Sequence, residues 1–132
     1  MDGSRYTRAE LTERVDFSED LAVFRFAPEE SLDFVPGQYA TIGMEDGGKK
    51  ILRPYSVVSA PHERELEFFL ELVPDGALTQ RMWPMEEGDP IWIRKKIVGR
   101  FTLDTETGRT RHLMAATVTG VAPYVSMARA QV

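Results

Sequence analysis

Arg53-Pro54-Tyr55-Ser56 places three different chemical tools within four residues. The planar guanidinium of Arg53 suits a diphosphate through forked, charge-assisted hydrogen bonds, the ring of Tyr55 offers a flat face for stacking, and the Ser56 hydroxyl donates or accepts. On a strand, residues 53, 55 and 57 share one face and 56 lies on the other, so the tools converge only if the strand end is twisted or bulged. Two readings stand open: a ligand cradle, or an ordinary strand with an exposed arginine and a packed tyrosine. A second group, Pro74-Asp75-Gly76-Ala77-Leu78-Thr79, is a turn that feeds a short helix. Free amides and the positive end of the dipole at such a start attract anions. The competing reading is that Asp75 or Thr79 caps the helix locally.

Other chemistries find little support. Cysteine is absent, which excludes disulfides, thiolate catalysis and thiolate metal sites, so any redox chemistry has to come from a bound cofactor. His62 follows Pro61 in a polar loop and His112 sits beside Arg111; neither has companion ligands nearby, so both are expected in solvent and no metal site is expected. A formal net charge of −5 argues against nucleic acid as a partner. No apolar run reaches bilayer length, so no membrane partner is expected. The N-terminal stretch has no apolar core of a signal sequence, which makes the cytoplasm the expected location.

The positioning elements read as short strands at residues 5–15, 21–27, 38–44, 54–59, 66–73 and 89–98, separated by Gly and Pro turns. Alternation in Ala22-Val23-Phe24-Arg25-Phe26 and in Ile91-Trp92-Ile93-Arg94 predicts one buried and one wet face. Trp83, Trp92 and the Phe68-Phe69 pair are expected in the core or capping it. The single internal helix is predicted over 77–83, before Pro84. Residues 113–118 read as an apolar strand of a parallel sheet, buried on both sides, followed by Thr119-Gly120-Val121-Ala122-Pro123 and a helix-compatible stretch to Val132. The expected fold is all-β: a six-stranded antiparallel Greek-key barrel with one capping helix, over 1–111, then the start of a βα unit over 112–132.

Taken jointly, Gly37-Gln38-Tyr39, Arg53-Pro54-Tyr55-Ser56, Gly76-x-Leu78-Thr79, Gly88-Asp89, Gly99-x-Phe101 and the run Ala116 to Tyr124 occur in an order that resembles the ferredoxin/flavodoxin–NADP⁺ reductase family, particularly its bacterial branch. The resemblance implies an FAD-binding barrel followed by the first residues of an NADP-binding domain. It implies that Arg53 contacts the diphosphate, Tyr55 stacks on the isoalloxazine ring and Ser56 hydrogen-bonds near N5. Pro54, Val57, Val58, Phe69, Leu70, Glu71 and Leu72 then line the cofactor groove. Gly76, Leu78 and Thr79 present amides to the diphosphate, and Thr119 approaches from the domain junction. Tyr55 and Ser56 are the residues assigned to the reaction itself. FAD supplies the electron chemistry, NADP(H) is the co-substrate, and ferredoxin or flavodoxin is the partner; no general acid or base is demanded. The basic cluster Arg94, Lys95, Lys96 and Arg100 is either a wet strand end or a patch that steers such an acidic partner.

Two departures from the pattern carry expectations. The family usually has a glycine where this chain has Val118, and a β-branched residue suits neither a positive φ nor a close phosphate approach. The chain also stops where the nucleotide domain begins, so it is expected to be incomplete for NADPH turnover. Residues 113–132 are expected to be disordered or to pack against a second molecule. Rival functions are a sibling NAD(P)H-dependent reductase module and a non-catalytic barrel that binds a ligand or partner.

Overall fold

The computed structural model describes residues 1–132. Six strands form one antiparallel sheet: β1 (Tyr6–Asp16), β2 (Leu21–Pro28), β3 (Tyr39–Asp46), β4 (Lys49–Ser56), β5 (Leu66–Glu71) and β6 (Pro90–Arg94), in the order β4-β3-β6-β1-β2-β5. β1–β2 and β3–β4 are hairpins, and β6 inserts between them, which is the Greek-key connection. The β3–β4 turn follows from its sequence. Gly47 and Gly48 have φ of 58° and 79°, the double positive φ of a primed turn, and they join Asp46 to its partner Lys49.

Burial follows the expected alternation. In β2 it runs strictly inside and outside, with Ala22, Phe24 and Phe26 inward and Val23 and Arg25 outward. Phe24, Phe26, Leu66, Phe68, Leu70, Ile91 and Ile93 form the centre of the core. Each such side chain contributes about 1.5–3 kcal/mol on burial, against about 0–1 kcal/mol for a surface ion pair, so the core and not the many salt bridges holds the sheet.

The sheet is a half-barrel. β4 and β5 are its edges and no ladder closes them along their length. They are joined only where the chain leaves β4: the Val58 amide donates to the Glu67 carbonyl at 2.8 Å, and the Glu67 amide donates to Ser59 Oγ at 3.1 Å. Of residues 57–59, expected to extend the strand, Val57 still donates to the Gln38 carbonyl just before β3, at 3.1 Å, and from Val58 the chain hooks onto β5. β6 likewise ends at Arg94, short of the expected 98, with only an isolated bridge from Tyr39 to Val98 beyond it.

The helix α1 (Thr79–Met82) is four residues, shorter than predicted, because Ala77 and Leu78 remain in the turn after Gly76 and Pro84 stops continuation. Leu78 and Met82 plug one mouth of the half-barrel. Residues 113–118 correct the sequence expectation: they form no strand, and Leu113 is 97% exposed. A two-sided parallel strand needs sheet neighbours, and none is present. A 3₁₀ turn (Val118–Val121) then leads into α2 (Ala122–Arg129). This helix docks on its own half-barrel with Ala122, Pro123, Ser126 and Met127 buried, and Tyr124 meets Phe101 edge-on at 5.5 Å.

Candidate functional site

β4 pairs with β3 in unbroken register, Arg53 opposite Ile42, Tyr55 opposite Ala40 and Ser56 opposite Tyr39. No bulge gathers the three side chains. Arg53 and Tyr55 lie on the inward-facing side of this edge strand and Ser56 on the outer side. Because β4 is an edge, its second row of backbone groups is unladdered and open to a ligand. Arg53 is exposed and its guanidinium has one recorded partner, its neighbour's carbonyl, Leu52 O at 2.7 Å. Tyr55 is half-buried against the core; burial pushes its phenol above the ordinary value, the Arg53 charge opposes this, and the net shift is upward. The phenol therefore stays neutral at physiological pH. Pro54 is exposed, while Val57 and Val58 are buried.

On the opposite edge, Leu70 of β5 points into the core, so only its backbone is open to a ligand, whereas Phe69 points outward beside Phe17, 5.9 Å away and edge-on. Glu71 is exposed, and the Leu72 amide is used by the Asp20 carbonyl. In the 73–79 turn, Thr79 is buried and its Oγ1 accepts the Val73 amide at 3.1 Å, while Gln80 Nε2 donates to the Val73 and Pro74 carbonyls at 2.9 Å each. Leu78 is likewise core. Thr79 and Leu78 thus set the shape of the turn, and Gly76 is the member of this trio nearest its surface. A four-residue helix also has little dipole to offer, which weakens the anion reading of its start.

Thr119 is half-buried within the 3₁₀ turn. Val118, immediately before it, has φ of 46° and is the chain's one non-glycine residue with positive φ. It stands where the family resemblance implies a glycine.

The structure does gather Val58, Phe69 and the segment after Thr119. They share a cavity of about 240 Å³ with Phe17, Val23 and Val125, whose polar lining is the pair Glu67 and Arg129. Ligand pockets generally enclose about 300–1,000 Å³, so this one suits a flat ring system and not a whole dinucleotide. An apolar cavity and an exposed guanidinium along open strand edges fit a ligand that is part flat and apolar, part anionic. Elsewhere, His62 and His112 are exposed, and no cluster of metal-ligating side chains is present. Of the basic cluster, Lys95 is paired with Glu30, while Arg94 and Lys96 lie on the outer face beside Tyr39 and Thr41. Sequence reasoning missed Ser59, Glu67, Ser126 and Arg129, which are joined by side-chain and backbone contacts, the longest across 67 positions.

A family model described as oxidoreductase FAD-binding domain matches residues 8–103. The chain belongs to that family. As a member of the FAD-binding domain family it carries FAD as its cofactor. Among curated relatives, the flavodoxin/ferredoxin–NADP reductase of Rhodobacter capsulatus is 38% identical over 86% of this chain and 42% of its own length. The ferredoxin–NADP reductase of Pseudomonas aeruginosa is 35% identical over 88% and 46%. The chain therefore spans less than half of these relatives. A crystal structure of a ferredoxin NADP⁺ reductase from Neisseria gonorrhoeae, with bound FAD and NADP, superposes with a TM-score of 0.82 at 29% identity, covering 94% of this chain and 50% of that one. A cytochrome P450 reductase from Amycolatopsis gives a TM-score of 0.78 at 26% identity, over 95% and 38%. No helix of this FAD-binding domain is long and apolar enough to cross a membrane.

Proposed function

We propose that this chain is the FAD-holding part of a reductase that moves electrons between NADP(H) and ferredoxin or flavodoxin, with residues 1–111 as the cofactor domain and 112–132 as the start of the nucleotide domain. The observation that carries the reading is the placement of Arg53 and Tyr55 on the inward side of an open strand edge whose exit, at Val58, reaches the apolar cavity it shares with Phe69 and Val121. FAD, when bound, supplies hydride and one-electron chemistry. The residues' task is to hold and orient it. Arg53 grips the diphosphate, the neutral Tyr55 ring stacks, Ser56 offers a hydroxyl toward the reacting edge, and Pro54, Val57, Val58 and Phe69 exclude water. Leu70, Glu71, Leu72 and Gly76 offer the groove's backbone, while Leu78 and Thr79 shape the turn; Thr119 stands at the junction.

The acceptor assignment rests on the names of the relatives, and the cytoplasm is the compartment that suits such a reaction. Residues 113–118, exposed and outside the sheet, are the segment through which this chain pairs with further sheet, in the same protein or in a second copy.

FAD titration followed by tyrosine and tryptophan fluorescence tests the site. The Arg53→Ala, Tyr55→Ala double variant is expected to bind at least about a hundredfold more weakly, since it loses a charge-assisted fork and a stacking face. Undiminished binding in that variant removes the assignment.

A further inference from the structure

The exit of β4, where the Arg53 to Ser56 motif ends, is held by α2 through two contacts. Ser126 Oγ, fully buried, donates to the Ser59 carbonyl at 2.7 Å. Arg129 pairs with Glu67 and lies 3.9 Å from Glu63. The same two barrel residues make the joint between the edges: Ser59 Oγ takes the Glu67 amide, and the Glu67 carbonyl takes the Val58 amide. Arg25, on the outer face of β2, completes the cluster. Its guanidinium reaches Glu63 at 3.1 Å, Glu65 at 2.6 Å and Glu67 at 3.5 Å, so the carboxylates that receive Arg129 are already aligned by a second cation. Glu67 and Arg129 also line the apolar cavity whose other walls are Val58, Phe69, Val121 and Val125.

We infer that Ser126 and Arg129 are positioning residues of the cofactor site: they fix the hook at residues 57–59, and with it the end of the Tyr55-Ser56 strand, and they hold the α2 wall over the cavity. The inference rests on the proposal that FAD occupies this edge, but the hook and the cofactor are measurable separately. A hydroxyl buried with a single acceptor and an ion pair backed by a second arginine respond to different substitutions, which makes the device separable from general stability. Ser126→Ala removes one hydrogen bond while placing a better helix former in α2. Arg129→Met keeps the apolar stem and removes the charge.

The experiment has two arms, each with the full 132-residue chain. Without cofactor, amide exchange at Val58 and Glu67 is compared among the unaltered chain, Ser126→Ala, Arg129→Met and Arg129→Lys, with Phe24 and Ile93 as core references. The two hook amides are expected to exchange about tenfold faster in Ser126→Ala and Arg129→Met, the core references unchanged, and Arg129→Lys to recover most of the protection. With FAD, the first two variants are expected to bind about tenfold more weakly and to leave the bound flavin more open to iodide quenching. Unchanged exchange at Val58 and Glu67 overturns the inference. So does faster exchange with an unchanged FAD affinity, which makes α2 a mere attachment. Faster exchange in a chain that binds no FAD at all leaves the hook intact as a device and refutes instead the assignment of FAD to this edge.

Discussion

Val118→Gly is expected to stabilise the junction between the exposed segment and α2. Val118 has φ of 46°, where the Cβ of an L-residue crowds the following carbonyl at a cost of about 1–2 kcal/mol. Replacing it with glycine removes that strain but restores freedom to the unfolded chain worth about 0.4–1 kcal/mol. The side chain is 56% exposed, so little packing is lost. The balance is a gain of about 0.5–1 kcal/mol, or about 2–4 °C in Tm for a chain of this size. Two companion variants isolate the cause. Val118→Ala keeps the Cβ and is expected to change little, whereas Val118→Asn, which tolerates the left-handed region, is expected to recover part of the gain. Urea denaturation gives the free energies, and amide exchange across α2 shows whether the gain is local to the helix that the turn launches. A glycine variant no more stable than the alanine variant refutes the reasoning.

Two further outcomes follow from the geometry. Gly37 is buried with φ of 103°, and a Cβ there lands 1.8 Å from the Phe101 carbonyl oxygen and 2.8 Å from the Met127 side chain; Gly37→Ala is expected to cost about 3 kcal/mol or more in chemical denaturation, and a loss under 1 kcal/mol disproves the close approach. Burial pushes the Glu63 carboxyl up, but the Ala60 amide at 2.6 Å, together with Arg25 and Arg129, outweighs it and holds the pKa below the usual value. Because the folded pKa is the lower one, this contribution is present above the unfolded pKa and is lost as pH falls through the folded one. Attachment of α2 is therefore expected to weaken on acidification below the ordinary glutamate range, seen as faster α2 amide exchange after correction for intrinsic rates; Glu63→Gln is expected to flatten that dependence, and an identical profile in the variant counts against it.

The sheet was legible because its signals are local. Alternation in β2 and β6 and the paired glycines at 47 and 48 each act within a few residues, and the observed strands follow them. Errors fell where a local pattern needed a distant partner. Residues 113–118 have the composition of a buried strand, but a strand is a property of a ladder and they have no neighbour to pair with here. Residues 57–59 continue the β-like composition of β4, yet the Val58 amide finds Glu67 instead of β3, a choice that depends on the curl of the whole sheet.

The same distinction separates the parts of the site. Arg53, Tyr55 and Ser56 lie within four residues and were singled out there by residue type, with their roles implied by the family resemblance, while the four residues around the hook meet through contacts that bridge up to 67 positions, as from Ser126 to Ser59. Serine and glutamate in such places look like ordinary surface residues until the fold buries the hydroxyl and gives the carboxylate two arginines. The start of α1 shows the same dependence: of the two readings left open there, the fold displays the local one, with Thr79 Oγ1 accepting the Val73 amide in a helix one turn long. Chemistry that depends on a side chain being free cannot be read from its type, because the hydrogen bond that occupies it is fixed only by the fold.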